Sequence, residues 1–418
     1  MKINLCGKDT TMEKVKFGII GLGQRGSQLL DLLLSFDDVT VTATCDKYED
    51  RANNAAEKVE KKETVAPLTT TDYKEVLASE NVDAVLISTD WELHVPLAVA
   101  AMEAGKATAL EVGGAYCIED CWRLVRTYEK TKTPFMFMEN CCFNKDELLA
   151  TALTRKGKFG TVVHCSGAYG HDLRNEVAFG KENRHYRLRN YRLRNAENYP
   201  THEFGPIARI LNLNRGNRAV SLSSVSCKAA GMKEYIKANA DKVDPALLDA
   251  EWAQGDIVLT TVTCAGGETI LLKLDTTLPR SYSRELVVRG TKGLYEQSTN
   301  SVFYDGDEEC WEPADYYAKA LNNAKKEEEE FLPDVWKKIT PEEIAAGHGG
   351  MDAIEFRVFI DTLKNGGEMP IDVYDAALWM SVTAISEESI KMGGAPLPVP
   401  DFTSGAWTNR APKDVLPL

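Results

Sequence analysis

An α/β fold with a second, α+β half is what this sequence predicts, and three observations predict it. A short apolar strand runs into a glycine turn and then a helical apolar pattern, "KVKFGIIGLGQRGSQLLDLLLS". Strand-like and helix-like segments alternate with short loops to about residue 145, the rhythm of a doubly wound parallel sheet. Beyond about residue 150, strand-like runs follow one another with few helical crossovers, the texture of a mainly antiparallel open sheet. A chain of 418 residues accommodates two such domains. The organisation therefore reads as a tail over 1–12, a doubly wound domain over 13–145 and an α+β domain over 146–418.

Composition excludes several classes. Hydrophobic residues make up 44% and charged residues 27%, ordinary for a folded chain. The net charge of −14 disfavours nucleic acid and anionic membrane as partners. No apolar run is long enough to span a bilayer. Ten cysteines without regular spacing read as reduced thiols, which favours the cytoplasm over an exported setting. Met1–Met12 is short and polar, and reads as a tail without an export signal.

Taken in order, the first strand ends at a G-x-G-x-x-G made by Gly21, Gly23 and Gly26. Gly21 permits the tight turn, Gly23 lets the backbone approach a pyrophosphate, and Gly26 lets helix and strand pack closely. The helix that follows turns a positive dipole end and unpaired N–H groups toward the phosphates. A second strand, "VTVTATCD", ends in Asp46, about 20 residues past the last glycine, where a carboxylate takes the adenosine ribose hydroxyls. An acid there repels a 2′-phosphate and favours NAD over NADP. Arg25, inside the turn, pulls the other way. Strands at "DAVLIST", "ATALE" and "PFMFMEN" and helices at "HVPLAVAAMEAG" and "IEDCWRLVRTYEKT" continue the alternation. Ligands of such sheets lie at the carboxyl ends of the strands. The positions to watch are Asp46, Thr89 to His94, Glu111 to Gly113, and Glu139 to Asn140.

The second half shows strand-like runs at "GTVVHCSGAYG", "VSLSSVSC", "DIVLTTVTC", "TILLKLDT", "ELVVRG" and "SVFYD". The run Glu327–Glu330 reads as a solvated helix face or loop. "MDAIEFRVFIDTLKNGG" and "YDAALWMSVTAISEESIKMGG" have helical spacing and end at glycines. "YRLRN" occurs twice in tandem over Tyr186–Asn195 and places four arginines close together. It reads as a surface loop balanced by local acids, or as a cationic wall beside a polar substrate.

Six histidines are present, none in a metal-binding spacing, and the Cys117/Cys121 and Cys141/Cys142 pairs lack companion ligands. No metal is expected. His202 lies in "NYPTHEFGPIARIL". Thr201 reads as a cap for a helix that holds His202 in its first turn, where an imidazole can accept a proton. Tyr199 and Pro200 form a constrained turn just before it.

The first half resembles the glucose–fructose oxidoreductase / inositol dehydrogenase superfamily. "MENCCFNKDELL", "VVHCSGAYGHDLR", "NYPTHEFGPIARILNLNRGN", "GETILLKLDTTLPRSYS", "GHGGMD", "PIDVYDAALW" and "VPDFTSGAW" narrow the resemblance to glycoside hydrolase family 109. That resemblance implies an NAD-dependent enzyme acting on terminal α-N-acetylgalactosaminides or related glycosides. It implies cofactor contacts at Gln24, Arg25, Asp46, Trp91, His94, Glu111, Val112 and Asn140. Substrate contacts are implied at Tyr169, Arg187, Tyr199, Pro200, Thr201, His202 and Tyr282. His202 matches the family's acid/base, with Tyr199 and Tyr169 as supporting catalytic tyrosines. The implied reaction oxidises C3 of the sugar, eliminates the C1 substituent, adds water and returns the hydride, the NAD-dependent exception among glycosidases.

Two departures bear on this expectation. Glu111-Val112-Gly113 stands where dehydrogenases of the superfamily carry Glu-Lys-Pro, which argues against plain sugar dehydrogenation. Tyr186-Arg187 stands where family members have Trp-Arg, and the tandem repeat makes Arg192 a rival to Arg187. The alternatives are an NAD-dependent sugar or inositol dehydrogenase and a non-catalytic sugar- or nucleotide-binding module. An exposed sheet face favours a homo-oligomer.

Overall fold

A computed structural model describes residues 14–63, 65–345 and 347–418. The tail expected over 1–12 lies outside the described residues. The chain divides into two units. The first comprises residues up to Val112, Glu119–Asn144 and Asp334–Ala377; the second comprises Gly113–Ile118, Lys145–Pro333 and Leu378–Leu418. The first unit thus reaches past residue 145 and takes in a segment from far down the chain.

The first unit is built on six strands: β1 (Val15–Ile20), β2 (Val39–Cys45), β3 (Leu68–Thr70), β4 (Ala84–Ile87), β5 (Ala107–Glu111) and β6 (Phe135–Met138). Their order is β3-β2-β1-β4-β5-β6, and every pair is parallel. β4, β5 and β6 are buried at every position, which is why they read as continuous apolar runs. The order reverses at β1 and β4, so the crevice at their carboxyl ends is the expected ligand position. Helix Met351–Asn365 belongs to this unit and is buried over its first ten residues. Its Phe359 ring lies 6.0 Å from Phe17 of β1. Its Arg357 donates to both carboxylate oxygens of Asp38 at 2.9 and 3.0 Å.

The second unit holds an eight-stranded sheet: β7 (Val162–Gly170), β8 (Ala219–Ser226), β9 (Ile257–Cys264), β10 (Thr269–Asp275), β11 (Val287–Gly290), β12 (Gly293–Glu296), β13 (Ser301–Tyr304) and β14 (Leu397–Pro398). The order is β13-β12-β11-β7-β10-β9-β8-β14. β7 and β10 run parallel and the remaining neighbours antiparallel, as the sequence texture indicates. β9 alternates buried and exposed residues, so one face packs inward while Leu259, Thr261 and Thr263 point outward. Helix Thr201–Ile210 packs on β7, close enough that a Cβ on Gly167 would stand 2.9 Å from the Glu203 Cβ.

Two local expectations change. The tandem "YRLRN" segment is a helix, Arg187–Leu193, rather than a surface loop, because Asn190 and Tyr191 are buried along one side. Thr201 does not cap its helix. Pro200 occupies the N-cap position, and Thr201 is the first helical residue and fully buried. His202 nevertheless sits in the first turn. No helix among the described residues is long and apolar enough to cross a membrane.

Candidate active site

In the first unit the site begins where β1 runs out. Gly21 has φ 96°, and a Cβ on it would stand 2.5 Å from the Ser88 carbonyl oxygen. A Cβ on Gly26 would lie 2.0 Å from the Gly21 carbonyl oxygen. The two close approaches draw helix Gln24–Leu33 tightly against the sheet. Gly23 differs, for the nearest atom to its Cβ would be a side-chain nitrogen of Arg51 at 3.6 Å. A side chain there would fill the space in front of the turn. Gly23 is also the N-cap, with no side-chain cap and no acid in the first turn, so the first N–H groups remain for an anion. Asp46 is buried directly after β2. Its carboxylate accepts the Leu22 N–H at 2.7 Å and the Tyr48 N–H at 2.9 Å, which fixes it beside the turn. These residues fit a dinucleotide.

Arg25 reaches the other way. Its Nε donates to Glu111 Oε1 at 2.9 Å; Nη1 and Nη2 donate to the two oxygens of Asp352 at 2.6 and 3.0 Å. The Asn140 amide donates to Asp352 Oδ1 at 2.7 Å. Glu111 ends β5 and Asn140 follows β6, on the opposite side of β1 from Asp46. Burial pushes the Asp352 carboxyl up, but Arg25 and His348 overcome it and hold the group well below the usual carboxylate range. Glu355, one turn further along, is fully buried. Burial and the Glu111 and Asp352 charges push it well above the carboxylate range. Trp91 and His94 lie buried on helix Trp91–Glu103. His94 Nε2 is 3.1 Å from the Thr89 carbonyl oxygen, and burial lowers its pKa to about 4, so it donates there as a neutral ring. Val112 is buried, and its N–H donates to Glu111 Oε2 at 3.2 Å. Gln24 opens the helix and is exposed.

In the second unit the structure gathers rings. Tyr169, near the end of β7, has its ring centroid 4.5 Å from Tyr199, 5.5 Å from His202 and 6.2 Å from Tyr282. Tyr199 and His202 are 4.7 Å apart and perpendicular. Tyr199 and Tyr169 are buried, and Tyr282 is exposed. Arg187 places its guanidinium 5.3 Å from the Tyr199 ring and donates to Glu176 Oε1. Arg192 is exposed, so the arginine against the tyrosine cluster is Arg187.

His171 and Glu176 join this cluster without having been singled out. The His171 Nδ1 is 3.0 Å from the Tyr169 hydroxyl, and its ring is 5.3 Å from Tyr282. Burial, Arg187 and His202 lower its pKa, with Glu176 and Asp172 opposing. Burial pushes Glu176 up, but Arg187 and His185 hold it below its ordinary value. The signal for His171 was its position two residues past Tyr169, where strand alternation returns a side chain to the same face.

A model of the glycosyl hydrolase 109 C-terminal domain matches residues 143–409, and one of the oxidoreductase family with an NAD-binding Rossmann fold matches residues 15–138. A glycosyl hydrolase family 109 protein of Stenotrophomonas maltophilia is 37% identical, covering 96% of this chain and 91% of its own. An alpha-N-acetylgalactosaminidase of Tannerella forsythia is 34% identical over 97% of this chain and 90% of its own. The chain belongs to glycosyl hydrolase family 109. Among solved structures, an oxidoreductase domain protein from Kribbella flavida matches with TM-score 0.69 at 17% identity, covering 93% of this chain and all of that one. Apo scyllo-inositol dehydrogenase from Lactobacillus casei matches with TM-score 0.66 at 13% identity, over 93% and 99%. These likenesses establish the fold that this family 109 chain shares with oxidoreductases, and its first unit is a nucleotide-binding Rossmann domain.

Proposed function

We propose that this family 109 enzyme hydrolyses terminal α-N-acetylgalactosaminides, with NAD as a cofactor that is recycled within each turnover. The observation that carries the reading is the second unit's cluster of two buried phenols and an imidazole, all within 5.5 Å between ring centroids, beside a largely buried arginine. A site that only binds a sugar does not need two phenols and an imidazole packed together. NAD rather than NADP is supported by Asp46 at the end of β2. It is supported equally by Arg25, which is bound to Glu111 and Asp352 on the far side of β1 and does not face a ribose phosphate.

Bound at the glycine turn, a dinucleotide would supply a reversible hydride acceptor for C3 of the sugar. The residues of the second unit handle the protons. Tyr169, hydrogen-bonded to His171, takes the C3 hydroxyl proton; Arg187 beside Tyr199 favours negative charge developing on a phenol oxygen. A ketone at C3 acidifies the C2 hydrogen, and a base removes it as the C1–O bond breaks. His202 serves as the acid/base that moves a proton between C2, the departing oxygen and the incoming water. Water adds at C1 and the proton returns to C2; reduction of the C3 ketone, with the phenol's proton returned to its oxygen, leaves no net oxidation.

The test is a panel of p-nitrophenyl glycosides assayed with and without added NAD⁺, with bound cofactor measured by absorbance after denaturation. The expected result is cleavage of the α-N-acetylgalactosaminide without accumulation of NADH, and NAD rather than NADP released on denaturation. Free NADH formed in step with product overturns the recycling. Oxidation of free sugars or inositols without glycoside cleavage puts the dehydrogenase reading in its place.

A further inference from the structure

The block Gly347–Asp352 has no part in the chemistry above, yet its backbone is unusual over four consecutive residues. Gly347, His348, Gly349 and Gly350 all have positive φ, at 101°, 40°, 66° and 95°. A Cβ on Gly347 would stand 3.0 Å from Asp352 Oδ2. A histidine in the left-handed region is strained, and such strain persists where surrounding structure imposes it. What the turn delivers is Asp352 and His348. Asp352 is 1% exposed and lies at the start of helix Met351–Asn365. One oxygen accepts Arg25 Nη2 and the Asn140 amide; the other accepts Arg25 Nη1 and lies 2.9 Å from His348 Nδ1. His348 Nδ1 is also 2.9 Å from Arg25 Nη1.

We propose that Asp352 is a positioning residue of the cofactor site, tying Arg25 of the glycine turn to Asn140 beyond β6, with His348 as its outer latch. This inference rests on the dinucleotide reading of the first unit. Arg25 lies within the glycine motif, in the first turn of helix Gln24–Leu33, and a guanidinium gripped through a two-bond fork has one orientation. Asn140 stands at the carboxyl end of the sheet, on the half of the crevice opposite the adenosine side. One carboxylate sets both, and it arrives on a segment 327 residues beyond Arg25. A cofactor that stays bound through a full cycle needs such preorganisation, because ordering side chains at each binding event weakens affinity.

The experiment measures NAD⁺ and NADH affinity of the full chain by titration calorimetry and NADH fluorescence. Asp352→Asn keeps the shape but turns a donor toward Arg25. It is expected to weaken both cofactors by about tenfold or more, within the range for hydrogen bonds to charged groups. Arg25→Gln is expected to weaken them as well, and the double variant by less than the product of the two single losses, because the two side chains act through one contact; the emission of bound NADH is expected to shift in both single variants, which a loss of stability alone does not produce. His348→Ala, at a half-exposed position, is expected to weaken binding about two- to threefold, as one lost contact at the rim. Unchanged affinity in Asp352→Asn, or multiplicative losses in the double variant, overturns the proposal. If Asp352→Asn does not fold, unchanged affinity in His348→Ala overturns it. Failure of the unaltered chain to bind either cofactor sinks the dinucleotide reading instead.

Discussion

The two units hold their functional side chains by different means. In the first, charge does the holding: Arg25 is fixed by Glu111 and Asp352, and Asp46 by two backbone N–H groups. In the second, rings do it: His202 packs edge-on against Tyr169 and Tyr199, which are tilted against each other, and Arg187, largely buried, leans on a ring while paired with Glu176. The difference follows from the ligands proposed for each. A dinucleotide carries fixed charges and is met by fixed donors and dipoles. A neutral sugar offers hydroxyls and C–H faces, which suit phenols, imidazole and aromatic surface. The teaching is that a cofactor side and a chemistry side separate by how their residues are anchored, so damage to one leaves the other measurable.

The largest expected effect breaks the second unit and spares the first. His202→Ala is expected to lower the hydrolysis rate by roughly 10²–10⁴-fold, the range for a general acid/base. Cofactor affinity is expected to stay within about twofold, since His202 belongs to the ring cluster of the second unit while the glycine turn and Asp46 are held by contacts within the first. Parallel rate and calorimetric measurements check it, and intact hydrolysis ends the acid/base assignment. A joint loss of rate and cofactor affinity ends the separation between the units.

A smaller contrast lies within one helix. Arg187 and Arg192 occupy equivalent places in the two copies of "YRLRN", yet one is against Tyr199 and the other exposed. Arg187→Ala leaves Glu176 without its nearest cation, and about a hundredfold loss in kcat/KM is expected for losing a buried charge partner at a reacting site. Arg192→Ala is expected to change kcat/KM by less than about twofold, as for surface substitutions. Equal effects of the two erase the distinction drawn from burial.

How much of this was legible in the sequence depends on the range of the contact. The glycine turn and Asp46 lie within one βαβ unit, and their spacing states their geometry. Tyr199–His202 lies in four consecutive residues, so the corner could be read, although the cap could not. Pro200 fixed the entry to the helix and left Thr201 inside it. The helix through Tyr186–Asn195 was hidden by its arginines, which read as surface while Tyr191 was buried. Hardest of all were the pairs between Arg25, Asn140 and Asp352, which lie 327 and 212 residues apart. No local pattern encodes such a meeting. The "GHGGMD" block carried the family resemblance, but nothing in its residues pointed to Arg25 or Asn140 as partners.

The smallest expected effect concerns one buried acid in each unit. Glu355 and Glu197 are both fully buried. Burial raises the pKa of each, and for Glu355 the neighbouring Glu111 and Asp352 charges add to it. A carboxyl whose pKa is raised on folding keeps its proton in the native state. Its stabilising contribution is full below the ordinary carboxyl range and is lost as pH rises through the native value, because the native state then must either hold a buried charge or bind a proton from a poorer supply. Glu355→Gln removes that ionisation without changing shape. Its Tm is expected to match the unaltered chain near pH 4.5 and to exceed it by about 2–4 °C at pH 8–9, the shift that roughly 1 kcal/mol produces in a domain of this size. Glu197→Gln is expected to behave in the same direction with a smaller gain, since burial alone raises it whereas like charges add to burial at Glu355. Melting curves from pH 4.5 to 9 decide the matter. Parallel curves for variant and unaltered chain at every pH show that the proton is not held there, and a larger gain for Glu197→Gln reverses the ranking of the two units.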